Sequence, residues 1–132
     1  MNLASRLEGL NKTYKTDILI AGSTYELVRD RYLGRPIDRV QVKGKTVAVL
    51  IFELLCEQQD ASEKHKEIVI LSHTAFDAYM ARDFVDAAEL FTQLLDVIPG
   101  DVSSVNHLEK CREYISNPPP ADWDPSVVFL DK

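Results

Sequence analysis

Cysteine is scarce in this chain: Cys56 and Cys111 are its only two. Thiols so few and so scattered form neither a disulfide framework nor a zinc site, so both are expected to be reduced and packed. Long apolar runs are missing too. No stretch approaches the roughly 18 consecutive apolar residues of a membrane-spanning helix. The N-terminus lacks the basic-then-apolar layout of a signal peptide. A cytoplasmic location is therefore expected, with a membrane anchor left open for any sequence ahead of Met1. An excess of positive charge is absent as well: 15 Lys and Arg stand against 21 Asp and Glu, for a net charge of −6. Without a basic stripe, no nucleic-acid partner is expected. The three histidines, His65, His73 and His107, show no ligand spacing and are expected in surface or core roles. No Ser-His-Asp or Cys-His arrangement is visible, and Glu8, Glu26 and Asp30 fall on helix surfaces rather than forming an acid-base pair.

What is present suffices for a packed core. The chain has 132 residues, about one domain's worth, and 45% of them are hydrophobic. Charge divides unevenly. Residues 1–56 hold nine Lys and Arg against six Asp and Glu, whereas residues 57–132 hold six against fifteen. A positive first part and an acidic second part point to two functional units.

Periodicity gives the elements. Asn2 to Tyr14 reads as a helix, with Leu3, Leu7 and Leu10 on one face. Ile18 to Ile20 reads as a short buried strand. A second helix opens at Gly22-Ser23, with Ser23 as cap and Glu26 completing a capping box, and ends near Arg31. Val40 to Val42 and Val47 to Leu54 read as strands joined through Lys43-Gly44-Lys45, a hairpin with glycine at its tip. A polar linker spans residues 57–62. From Glu63 to Arg82 a helix places Ile68, Leu71, Ala75 and Tyr79 on one face. The strongest stripe follows, Phe84, Ala87, Ala88, Phe91, Leu94, Leu95 and Ile98, with Asp83 as its cap. Pro99-Gly100 stops that helix, and Asp101 caps another running through Val105, Leu108, Arg112 and Ile115. Asn117-Pro118-Pro119-Pro120 ends regular structure. A proline-rich tail, residues 117–132, follows and packs back through its apolar residues, Trp123 and Val127 to Leu130.

Two spacings carry chemistry. Asn2 and Arg6 lie one helical turn apart and share a face, where an amide and a guanidinium can address one phosphate and its sugar. Lys43 and Lys45 flank a hairpin glycine. Gly44-Lys45-Thr46 is not a Walker A loop, because the glycine required five positions earlier is Arg39 and no helix follows.

Read in order, N-L-A-S-R-L-E (Asn2 to Glu8), D-I-L-I (Asp17 to Ile20), S-T-Y-E-L-V (Ser23 to Val28), V-K-G-K (Val42 to Lys45) and I-F-E-L (Ile51 to Leu54) resemble the C-terminal third of a class III nucleotidyl cyclase catalytic domain of bacterial type. The resemblance covers roughly residues 1–55. It implies an α+β fold, in which residues 1–56 form a partial ferredoxin-like cyclase domain of helices and a short β-sheet. Residues 63–116 resemble a tetratricopeptide-type helical pair through Ala75, Ala87, Phe91 and Pro99. A generic helical hairpin with a capping helix remains the alternative, since one repeat is fewer than such arrays need. R-D-F-x-x-A and N-P-P-P-x-D-W are similar to the extension that follows the catalytic domain in some bacterial cyclases.

The resemblance further implies roles. Asn2 would orient the ribose of a nucleoside triphosphate, ATP or GTP, and Arg6 would meet charge developing at the α-phosphate. Lys43 would reach the terminal phosphates. The family's site lies between two subunits, commonly of a homodimer, and uses two divalent metals, Mg or Mn, held by two aspartates on strands ahead of the Asn-Arg helix. Those aspartates are not in this sequence, and Asp17, which follows the helix, does not replace them. By itself the chain is expected to be inactive, with no metal of its own. Met1 stands where the family has an aliphatic residue, often valine, so a start placed inside a longer gene, or a frameshifted remnant, is expected. The competing expectation is a non-catalytic helical module that binds a protein partner.

Overall fold

The structure, a computed structural model, describes residues 18–42, 48–125 and 127–129. These fall into two compact units, one of residues 18–61 with 127–129 and the other Ser62–Pro125. The expected helix from Asn2 to Tyr14 and the turn at Lys43-Gly44-Lys45 lie outside the described residues.

The first unit is a four-stranded sheet with one helix. Strand β1 (Leu19–Ala21) leads directly into helix α1 (Gly22–Val28), followed by the long strands β2 (Tyr32–Val42) and β3 (Ala48–Glu57). The last strand, β4, is Val127–Phe129. The sheet order is β1-β3-β2-β4. Strand β3 pairs antiparallel with both β1 and β2, while β4 runs parallel to β2. Strand β3 forms for an evident reason: Val49 to Phe52 is a run of β-branched and apolar residues that fits a half-buried pleat.

Strand β2 is much longer than the expected Val40 to Val42. Gly34 and Pro36 are residues that ordinarily weaken a strand interior. The fold absorbs them in two irregularities, one between Leu33 and Gly34 and one between Pro36 and Asp38. Bulges of this kind are where a proline, which cannot donate to a ladder, is tolerated. Flanked on both sides, β2 buries Ile37 and Val40 completely enough that both are at most 1% exposed.

Helix α1 also departs from expectation. Ala21, not Ser23, is at the N-cap, and no side chain caps the helix. Glu26 pairs instead with Arg29 at 3.3 Å on the exposed surface. The helix ends at Val28, and the Arg31 amide closes a turn onto the Val28 carbonyl at 2.9 Å. Tyr25 is its anchor: the ring stacks on Phe52 with centroids 4.6 Å apart, and the hydroxyl accepts the Gly34 amide at 3.1 Å. Glycine is needed at 34 because a Cβ there would lie 2.7 Å from Tyr25 Cε1.

The expected linker is ordered structure. Gln58–Asp60 forms a 3-10 turn, and Gln58 Nε2 donates to the carbonyls of Arg29 and Tyr32 at 3.2 and 3.4 Å. Ser62 then opens the second unit as an N-cap, accepting the His65 amide at 3.1 Å while its own amide donates to His65 Nδ1 at 3.2 Å. This is a capping box with histidine in place of the usual Glu or Gln.

Three helices follow: α2 (Glu63–Met80), α3 (Phe84–Val97) and α4 (Val102–Ser116). Helix α2 packs on α3 and α3 on α4. Helix α2 buries Ile68, Ala75 and Tyr79 as expected, with Phe76 and Ser72 in addition; Leu71 is only half-buried. The core of α3 is Phe84, Ala87, Phe91 and Leu94. Asp83 is at its N-cap without a side-chain hydrogen bond. Asp101 does cap α4, accepting from the Ser104 amide at 3.2 Å. The buried face of α4 is Ser103, Ser104, His107, Leu108 and Cys111, so of the expected stripe only Leu108 is core, and Val105 and Ile115 are exposed.

Small residues explain that rotation. Ser72, Ala75, Ala87, Ser104 and Cys111, each at most 2% exposed, leave room for the His107 ring. His107 stacks on Phe91 with centroids 5.1 Å apart and meets Tyr79 edge-on at 4.9 Å. Its Nδ1 proton is donated to the Ser103 carbonyl at 2.8 Å. Trp123 packs back, as expected for the tail, against Tyr79, Phe84 and Tyr114. Among the described residues, no helix is long and apolar enough to cross a membrane.

Cys111 makes this core sensitive to alkali. Burial pushes its thiol from 9.0 up to about 11, so the folded chain keeps a proton that the unfolded chain has already lost. Unfolding then releases a proton between roughly pH 9 and pH 11, and stability falls as pH rises through that window, by about 2–3 kcal/mol in all. Urea unfolding of the wild type and of Cys111→Ala at about pH 8 and about pH 10.5 reads this out. The wild type is expected to lose more stability than the variant on going to the higher pH.

Candidate functional site

The three residues expected to touch substrate, Asn2, Arg6 and Lys43, lie outside the described residues. What the structure supplies is the framework next to one of them. Strand β2 ends at Val42, and the last paired residues of the two long strands are Gln41 with Ala48. The sequence Lys43-Gly44-Lys45 therefore lies in the connection between two antiparallel strands. Val40, one register step inside, is 1% exposed and anchors the end of the ladder.

The framework contains charges that sequence reasoning missed. Arg35 and Glu53 are directly opposite across β2 and β3. Arg35 Nε donates to Glu53 Oε1 at 2.9 Å, and the two side chains are only 5% and 15% exposed. Asp38, in the second irregularity, is also buried and accepts the Arg39 amide at 2.8 Å. Period-two alternation was the available signal, but Gly34 and Pro36 obscured it. The arrangement fixes strand register. Glu53, already holding a guanidinium, is poorly disposed to act as a base.

Among the described residues, no group of three or more His, Cys, Asp or Glu could hold a metal ion. His65 serves as a cap and His107 as core. Cys56 and Cys111 are free thiols, and burial together with the nearby Asp60 charge raises the Cys56 thiol above its ordinary value. A shallow groove along α2 is lined by Glu63, Lys64, Lys66, Glu67, Ile70 and Leu71. Its charges are mixed and in part mutually paired, as in the exposed Lys66–Glu63 contact at 3.8 Å. It offers no convergent polar set for a ligand.

Comparison with known proteins gives the remaining information. The chain is 31% identical over 119 residues to the terminal-differentiation specific adenylate cyclase of Dictyostelium discoideum, a match covering 87% of this chain and 6% of that protein. It is 38% identical over 55 residues to adenylate cyclase 1 of Rhizobium meliloti (strain 1021), covering 42% of this chain and 8% of that protein. The chain thus spans less than a tenth of either relative's length. What the first alignment leaves out is much shorter than the helical unit, so the alignment takes in most of Ser62–Pro125 as well as the sheet. No protein-family profile and no solved structure matches the chain. The chain therefore contains a segment related to adenylate cyclases.

The buried ion pair should be visible in stability. Removing one partner leaves the other charge buried in the sheet, so Arg35→Met is expected to cost about 3–5 kcal/mol in chemical denaturation. The double variant Arg35→Met/Glu53→Leu should recover most of that loss. Equal losses in the single and double variants would show that the two charges do not act as a pair.

Proposed function

We propose that this chain is the C-terminal part of a class III adenylate cyclase catalytic domain of bacterial type, of partial ferredoxin-like fold, joined to a tetratricopeptide-like helical extension. The observation that carries the reading is the Dictyostelium match, which extends across 87% of the chain and so includes the helical extension as well as the sheet. The V-K-G-K sequence, whose valine is the last residue of β2, supports it. Both relatives are named adenylate cyclases, which favours ATP over GTP as the substrate of the complete enzyme and cyclic AMP, an intracellular signal, as its product.

Cyclisation closes the ribose 3′ oxygen onto the α-phosphate and expels pyrophosphate, building negative charge on phosphate oxygens. Fixed donors aimed at that charge stabilise it strongly. Asn2 orients the ribose, Arg6 neutralises charge at the α-phosphate, and Lys43 holds the terminal phosphates. These residues form the half of a dimeric site that faces the metal-bearing half. Two Mg or Mn ions belong to aspartates outside this sequence. A polypeptide of these 132 residues is therefore inactive alone, and catalysis in the complete enzyme is cytoplasmic.

A second reading, a non-catalytic helical module with a protein partner, draws on one observation: Ser62–Pro125 has its own core and its own caps. The two readings separate in one experiment. The chain is joined to the upstream catalytic segment of a class III cyclase, and turnover of ATP is measured with and without Arg6→Ala. The first reading expects active enzyme whose kcat falls by about a hundred- to a thousandfold in the variant, the loss typical of one oxyanion donor. Unchanged kcat would remove Arg6 from the mechanism and leave the second reading.

A further inference from the structure

Helix α2 ends on a residue of unusual conformation. Arg82 has φ of +68°, and among the described residues no other non-glycine residue has a positive φ. Its amide bonds the Tyr79 carbonyl at 3.1 Å, and the Asp83 amide reaches back to Ala78 at 2.9 Å. This is a Schellman ending, where glycine is the usual occupant because a Cβ is disfavoured in the left-handed region. An arginine there brings its side chain to the segment that follows α4. Nη1 donates to the Pro120 carbonyl at 2.8 Å and Nη2 to the Pro119 carbonyl at 2.5 Å. The guanidinium carbon lies 5.7 Å from the centroid of the Trp123 ring. All of these residues belong to the helical unit.

The segment held in this way has the chemistry of a docked peptide. Pro118, Pro119 and Pro120 have carbonyls but no amide protons, so they are tied down by donors from elsewhere. A planar guanidinium offers two donors to adjacent carbonyls. Pro119 is buried, while Pro118 and Pro120 are exposed. The Pro120 carbonyl also accepts the Trp123 amide at 3.0 Å, a turn that brings the indole back to the helices. Trp123 packs among Tyr79, Phe84 and Tyr114, with centroids 5.5, 5.5 and 5.4 Å away. Helices α2, α3 and α4 thus give one ring each. Residues 117–125 form no helix or strand of their own, so side-chain contacts rather than a backbone ladder fasten them. Aromatic-lined grooves are a recurring way of binding proline-rich segments, whose stiff backbone loses little freedom on docking.

We propose that Arg82, Tyr79, Phe84 and Tyr114 form a peptide-binding site that residues 118–123 occupy in cis, and that its partner is a proline-rich segment of another protein with the pattern Pro-Pro-x-x-Trp. The occupant seen here fixes that chemistry. The guanidinium takes two adjacent proline carbonyls, and the three rings take an indole that a turn carries back to them. The chain's own segment is a strap that keeps the site closed until the partner displaces it. Exchange replaces one such segment by another and leaves the helix core alone. This inference concerns the helical unit only, and its failure leaves the cyclase reading as it stands.

Trp123 is the single tryptophan, so the full chain carrying Trp123→Ser has no indole and a vacated recess. A synthetic peptide with the sequence of residues 117–125 then supplies the whole tryptophan signal. Its emission should shift to the blue and saturate as Trp123→Ser is added. Calorimetry with the wild type should give about tenfold weaker binding, because the strap competes at an effective concentration on the order of millimolar. Adding Arg82→Gly to Trp123→Ser suits the positive φ and removes both donors, and should weaken binding about tenfold or more. A peptide with alanine in place of its first three prolines should bind more weakly as well. No blue shift with Trp123→Ser would overturn the proposal, as would binding indifferent to Arg82 or to the prolines. Loss of helical circular dichroism in Trp123→Ser would do the same, by making the strap part of the core. A wild type that dimerises by trading straps, seen as a doubled mass in light scattering that Trp123→Ser abolishes, would replace the foreign partner by a second copy and overturn that choice.

Discussion

The antiparallel pairing of β2 with β3 is the constraint on which the first unit depends. It joins Tyr32–Val42 to Ala48–Glu57 over nine register pairs, and each other described element of that unit attaches to one of these strands. Strand β1 adds to β3 and β4 to β2, while α1 is fastened by Tyr25 to Phe52 and to the Gly34 amide. A one-residue slip would turn the buried set outward, and the Arg35–Glu53 pair resists it. A charge pair inside a sheet contributes little net stability compared with apolar side chains, but it penalises any register that separates its members. The ladder ends with the pairing of Gln41 and Ala48.

The helical unit follows different physics. Its helices approach through serine, alanine and cysteine side chains, and His107 fills the space they leave, its Nδ1 bonded to a backbone carbonyl of its own helix and its ring packed on aromatic neighbours. The aromatic residues gather at one end, around Trp123. Its first helix is capped reciprocally by Ser62 and His65, and its third by Asp101. These features give Ser62–Pro125 a core of its own. The cyclase relative from Dictyostelium nevertheless aligns across most of it together with the sheet, so the similarity takes in both units.

Much of the helical unit was legible because period 3.6 is hard to disguise. The stripe from Phe84 to Ile98 gave α3, which ends at Val97 before Pro99-Gly100, and Asp101 serves as a cap. The buried face of α4 was not legible, because serines and a histidine do not announce themselves as core. Ser23 followed by Glu26 had the form of a capping box, but α1 begins one residue earlier, directly out of β1, and no such box forms. Strand β2 was misread for a related reason. Gly34 and Pro36 are ordinarily breakers, and only the partner strand makes the bulges that accommodate them. Arg82 was not legible as the left-handed end of α2, since a positive φ and a grip on the Pro119 and Pro120 carbonyls are properties of three dimensions. The expected substrate contacts, Asn2, Arg6 and Lys43, came from a family likeness, and the described residues bear only on the strands that flank the last.

One assay decides whether a phosphate-handling half-site is what this chain contributes. The purified polypeptide is incubated with ATP and Mn or Mg, alone and after addition of a separate polypeptide bearing the upstream metal-binding strands, and cyclic AMP is measured. The account predicts no cyclic AMP from the chain alone and its appearance once both pieces are mixed. Cyclic AMP formed by the chain unaided, or none from the mixture of two folded pieces, would contradict it.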